Sequence, residues 1–243
     1  MIGATLSTPL LIADLGRPSR FLNMLRVFKP QSPMSVGAWT LAVFGTASAG
    51  AVALGAPASR RLAGRRPAAR GAGTAPGQPP RTAARPVGDA AAMLSAVTGL
   101  VMATYTGVLI GATAIPVWKK HVSVLPIHFG ASALASAASL LELLGNKEPA
   151  LAKLAAAAAA FETFTGWRIE AGGGIESEPL MHGATGITTR IGGMFSGPLP
   201  LILRAIGTRN TRTAAAAAAL LGSLITRIAW IEAGKASADR SNP

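Results

Sequence analysis

The chain has 243 residues, with 23 Lys and Arg against 10 Asp and Glu, and no cysteine. Hydrophobic residues make up 50% and charged residues 14%, against roughly 25% charged in an ordinary soluble domain, which argues against a soluble enzyme and against disorder. The lack of cysteine excludes disulfides, Cys-ligated zinc and an iron–sulfur cluster held by this chain alone, and three histidines leave little room for haem.

A bilayer-spanning helix needs about 20 mostly apolar residues, and seven segments are candidates. Residues 1–13 are apolar but long enough for only part of a span. Asp14 and Arg17 follow directly, without the basic start of a signal peptide, so this stretch reads as the second half of a helix. Residues 34–56 form a full span. Residues 57–89 form a linker rich in Arg, Pro and Gly, expected to be solvated and suited to anionic lipid rather than nucleic acid. The remaining spans are expected at 90–117, 122–145, 150–167, 192–203 and 214–233. Pro116, Pro198 and Pro200 predict kinks or broken helices within this set. The fold class is therefore all-α, a polytopic transmembrane helical bundle. Its domains are 1–56, the 57–89 loop and 90–243.

Alternating the spans divides the loops between two sides. The Arg-rich linker side carries a slight excess of Lys and Arg, which places it in the cytoplasm. Trp39, Trp118, Trp167 and Trp230, all three histidines and most of the acids fall on the other side. Aromatic anchoring at the membrane interface accounts for most of the tryptophans. The same face is expected to dock a partner and exchange protons.

Several strings are more specific than generic membrane sequence. They are Asp14-Leu15-Gly16-Arg17-Pro18 with Arg20-Phe21, and Ser32-Pro33-Met34-Ser35-Val36-Gly37-Ala38-Trp39. Further along come Tyr105-Thr106-Gly107-Val108-Leu109, Ala112-Thr113-Ala114-Ile115-Pro116-Val117-Trp118, and Leu125-Pro126 followed by Ser132, Ser136 and Ser139. Arg227 and then Glu232-Ala233-Gly234-Lys235-Ala236-Ser237 close the set. In this order, over almost the whole chain, they resemble the NrfD-like family of polysulfide-reductase-type membrane subunits. The resemblance implies two helical bundles, usually of eight helices in all, and a quinone site near an iron–sulfur, ferredoxin-like partner. That partner is often joined to a molybdopterin catalytic subunit. The implied cofactor is a quinone, expected to be menaquinone, with no metal or haem in this chain. The implied location is the inner, cytoplasmic cell membrane. The family's first helix and the start of its second are missing here, so the chain is expected to be a fragment or to begin from a start placed too late.

The candidate site residues each carry two readings. Asp14 and Arg17, three residues apart, can meet on a helix. They form either a proton acceptor near quinol with its tuning cation, or a helix-end ion pair. Tyr105 matches a family quinone contact, and its phenol could equally bond a backbone carbonyl. His128, one turn into its span, is a structural histidine or a group exchanging protons with quinol. Glu162 sits in an Ala-rich span, where a carboxylate is costly. It belongs to a proton path or partners Arg227, and pairing is the plainer account of both. Glu142 would mark the inner end of such a path. Ser132, Ser136 and Ser139 share a face and read as interhelical glue, while Gly107 and Gly111 allow close helix approach. Gly172–Gly174 lacks a flanking strand, so a nucleotide loop is rejected.

The resulting function is quinone-linked electron exchange with the iron–sulfur partner, a reaction this chain cannot complete alone. Two alternatives stand beside it. A secondary transporter would suit broken helices and buried charges, but no internal repeat supports it. A pure membrane anchor would assemble normally and ignore quinol.

Overall fold

The computed structural model describes residues 26–54 and 84–240. The expected 1–13 segment, Asp14 and Arg17, the end of the expected 34–56 span at 55–56 and linker residues 57–83 lie outside the described residues, while the last expected linker residues, 84–89, are helical rather than loop. Every regular element among the described residues is helical. The chain divides into two compact units at Met102 and Ala103.

In the first unit, α1 spans Pro33–Ala53. Ser32 caps it by accepting a hydrogen bond from the Ser35 amide, and Pro33 takes the first turn, where its missing N–H leaves nothing unsatisfied. The Ser35 hydroxyl accepts from the Lys29 amide at 3.1 Å and so fixes the approach to the helix. α2 begins at Ala84 and ends at Gly111. Ser48 of α1 and Ser95 of α2 are hydrogen-bonded at 2.6 Å, and Gly99 leaves room for the Phe44 ring. Much of the apolar surface of α2, including Met93, Val97 and Leu100, stays exposed. That pattern suits a helix whose solvent is lipid.

The second unit holds the end of α2 and seven more helices in order. These are α3 (Pro116–Lys120), α4 (Leu125–Leu143), α5 (Pro149–Ala171), α6 (Glu178–Met181), α7 (Gly183–Ser196), α8 (Pro198–Ile206) and α9 (Arg209–Arg240). A 3-10 turn, Ile175–Ser177, precedes α6. α9 is central and packs against α3, α4, α7 and α8. Small residues make this possible. A side chain at Gly192 would meet Thr226 at 2.7 Å, and one at Gly107 would meet the Leu125 backbone at 2.6 Å. Both are sites of close helix approach, as the glycine spacing in 107–111 predicts for α2 against α4. A small apolar core of Val117, Leu125, Phe129, Ile169, Leu180, Trp230 and Ala233 closes one end.

Three helices are long and apolar enough to cross a membrane alone: Pro33–Ala53, Pro86–Gly111 and Arg209–Arg240. α4 and α5 have 19 and 23 residues. His128 and Glu142 in α4, and Lys153, Glu162 and Arg168 in α5, lower their hydropathy. The fold is a helical membrane bundle.

Several expected boundaries move. The 90–117 span stops at Gly111. Pro116 forces Ile115 into an extended conformation with ψ 122, and α3 starts separately. The 192–203 segment is two helices that meet at Gly197, where Pro198 and Pro200 open the second. The 214–233 span extends at both ends, to Arg209–Arg240, 32 residues in all. Trp230 is only 2% exposed and belongs to the core rather than to an interfacial belt. Trp118 is partly buried too, donating its indole N–H to the Trp230 carbonyl at 2.9 Å.

Candidate functional site

Residues that alternation of the spans assigns to one side meet at one end of the second unit. The Lys120 ammonium pairs with Glu176 at 3.1 Å, and Arg240 pairs with Glu178 at 2.6 Å. His121, in the connection between α3 and α4, is buried and hydrogen-bonded to the Ser177 hydroxyl at 2.9 Å. Together they hold the 175–181 segment against the bundle.

Burial pushes the His121 imidazole below its ordinary 6.5, the Lys120 charge adds to this, and Glu176 partly opposes it. The neutral form is therefore favoured in the folded chain. Its contribution is complete above about pH 6.5, the unfolded value, and is lost as pH falls through the lower folded value. Amide exchange at 175–177, corrected for its intrinsic pH dependence, is expected to quicken on acidification in this chain and to lose that dependence in His121→Gln. A variant that keeps the acid response would refute the assignment.

Behind this segment the bundle interior is polar. His128, in α4, is 5% exposed and shares a hydrogen bond with the Thr165 hydroxyl of α5 through Nδ1 at 2.9 Å. Glu162 lies one turn before Thr165 and is 2% exposed. Ser132, Ser196 and Arg227 lie around its carboxyl, yet neither oxygen has a hydrogen-bond partner. A buried polar group left in this condition is costly.

The Arg227 guanidinium is close enough to Glu162 to act on it electrostatically but makes no ion pair with it among the described residues. It donates to the Ser223 hydroxyl and, at 3.3 Å, to the Ser223 carbonyl. It also sits 5.6 Å over the Phe129 ring, a cation–π contact. Ser132 donates to Ser223 at 3.0 Å. Hydroxyls therefore connect the Glu162 surroundings to Arg227, where direct pairing was the plainer expectation. The long, flexible arginine side chain folds back onto its own preceding turn on α9. Glu232 is separate from this cluster and pairs with Lys235 at 2.8 Å.

At the other end of α4, Glu142 accepts from Arg204 of α8 at 2.9 and 2.6 Å, and Arg204 also donates to Ser139 at 3.0 Å. Of the α4 serines, Ser132 and Ser139 do bond across helices, while the Ser136 hydroxyl is buried without a partner.

A pocket of about 50 Å³ opens beside His128, lined also by Thr226, Thr189, Trp230, Leu180 and Met181. The Thr226 hydroxyl is buried and unpartnered. Gly193 adds to the space, since a side chain there would touch nothing. Tyr105 is half-buried on α2 and does not line this pocket, nor does Glu142. No group of three or more metal-ligating side chains occurs among the described residues. Sequence reasoning missed Thr165, Ser223, Thr226 and Arg204. Only Thr165 left a local signal, three residues after Glu162 on one helix face.

The family model described as polysulphide reductase, NrfD, matches residues 2–146. A second, described as polysulfide reductase, matches residues 81–240. No curated protein and no solved structure gives a significant match. The two models overlap across α2 and α4 and together cover nearly the whole chain: the chain belongs to the NrfD/polysulfide reductase family of membrane subunits.

Proposed function

We propose that this chain is the quinone-reactive subunit of a respiratory redox complex in the inner cell membrane. In this reading it binds quinol, with menaquinol as the expected form, and exchanges electrons with an iron–sulfur, ferredoxin-like subunit. A molybdopterin subunit would complete the complex. Family membership supports the class of partner. The observation that carries the reading within the chain is the pocket where the His128 imidazole and the unpartnered Thr226 hydroxyl meet.

The donor chemistry of that pocket fits the polar edge of a quinol or quinone. Its volume of about 50 Å³ does not fit the ring, since a cavity of roughly 150 Å³ is what takes up benzene. His128 and Thr226 would therefore hold a ring oxygen, and Leu180, Met181 and Trp230 would keep water from it. Quinol, when bound, supplies two electrons and two protons. Asp14 is proposed as a proton acceptor tuned by Arg17, and Tyr105 as a further quinol contact, both on the family pattern. Glu162, Arg227 and Glu142 are proposed as a proton path. The unpartnered Glu162 carboxyl and its hydroxyl-lined surroundings support that role.

Asp14→Asn is expected to lower quinol oxidation by about 10²–10⁴-fold, in the range of a lost acid–base group, while the complex assembles normally. Turnover by the purified complex tests it, and unchanged turnover with normal assembly would remove Asp14 from the site.

A further inference from the structure

We propose that Thr165 fixes the tautomer of His128, so that the pocket recognises a ligand presenting a hydroxyl and selects quinol over quinone. This rests on the quinone reading above and adds the redox form that the site prefers.

The Thr165 hydroxyl lies 3.0 Å from the Phe161 carbonyl oxygen and 3.0 Å from that of Glu162. It has one proton to donate, and a carbonyl can only accept. Back-bonding to the preceding turn therefore uses that proton. What remains toward His128 is oxygen lone pair, so at 2.9 Å the Nδ1 atom must be the donor.

A neutral imidazole carries one N–H. With that proton on Nδ1, Nε2 presents a lone pair, and among the described residues it makes no hydrogen bond to the protein. The hydrogen bond at one ring nitrogen thus decides the chemistry of the other. A ligand hydroxyl can donate to Nε2. A ligand carbonyl would set acceptor against acceptor. Thr165 is a positioning residue in this account, because it acts only through His128.

The chain has three histidines, so its ring-nitrogen spectrum is simple. The test is nitrogen NMR on the full-length, 15N-histidine-labelled protein in lipid nanodiscs, with His128→Gln to assign the signal. The expected result is a proton on Nδ1 and a bare Nε2 in the unsubstituted protein and in Thr165→Ser. In Thr165→Val the proton is expected to leave Nδ1 for Nε2. A short-chain hydroquinone should shift the Nε2 signal and bind about tenfold more tightly than its oxidised form, the size of one hydrogen bond. Thr165→Val should erase that preference.

A proton on Nε2 in the unsubstituted protein overturns the proposal, and leaves the quinone reading standing if hydroquinone still binds. A proton on Nδ1 with no response to either redox form overturns the ligand assignment and the quinone reading with it. The unsubstituted protein decides the tautomer, so misfolding of Thr165→Val would not block the test.

Discussion

Arg204→Leu is expected to destabilise the chain by about 3–5 kcal/mol, the usual consequence of removing one partner from a buried ion pair. Arg204 and Glu142 are only 8% and 15% exposed, and the guanidinium reaches both carboxylate oxygens and Ser139. Leucine at 204 would leave the Glu142 carboxyl shielded from water and without the one guanidinium nitrogen that reaches both its oxygens. The pair itself contributes much less than this loss suggests, because desolvation offsets most of its Coulomb attraction. The double variant Arg204→Leu with Glu142→Leu should therefore recover most of the lost stability. Thermal unfolding in detergent compares the three proteins. If the double variant were as unstable as Arg204→Leu, the cause would lie in α8 packing rather than in a stranded charge.

His128→Gln should lower quinol turnover by about 10²–10⁴-fold, the range for a lost general acid or base. Glutamine can keep a hydrogen bond to Thr165 and much of the imidazole volume, so helix packing should survive. It cannot take up a proton. Steady-state turnover by the assembled complex, with assembly verified by co-purification, is the measurement. Turnover within about twofold of the unsubstituted complex would show that His128 is structural only, because general acid–base catalysis does not disappear at so small a cost.

The bundle was legible in the sequence because lipid demands long apolar helices and apolar runs are local features. Prolines located the breaks at Ile115 and Gly197 correctly. The run around Pro198 nonetheless reads as one short segment. α7 begins nine residues earlier, in the mixed stretch Gly183-Ala184-Thr185-Gly186, which has no apolar signature. Conversely, α9 continues past its apolar core through Gly234 and Lys235, where packing of Gly234 on Trp118 holds the helix.

The site was less legible. Asp14 and Arg17 stand out through a family pattern and lie outside the described residues. His128, Glu162 and Arg227 stand out as ionisable groups in apolar runs, and the fold does bring them into one interior. His128 and Ser132 bond hydroxyls on distant parts of the chain, whereas Arg227 bonds Ser223 one turn away. Thr165 is 37 residues from His128, and Ser223 is 91 from Ser132. Nothing local marks a serine or threonine as a partner rather than as packing. Arg204 lies 62 residues from Glu142 and reads as an ordinary loop cation until α8 carries it to the end of α4.

Electron transfer between quinol and a partner's iron–sulfur clusters is what the proposed function requires. The most direct measurement is electron paramagnetic resonance on the tagged protein, purified gently from its native membrane, before and after addition of a reduced quinone analogue. Co-purifying clusters that become reduced on addition are the expected result. Clusters that co-purify and stay unresponsive would contradict quinol binding and leave an anchor. Absence of any cluster would contradict the redox partnership itself.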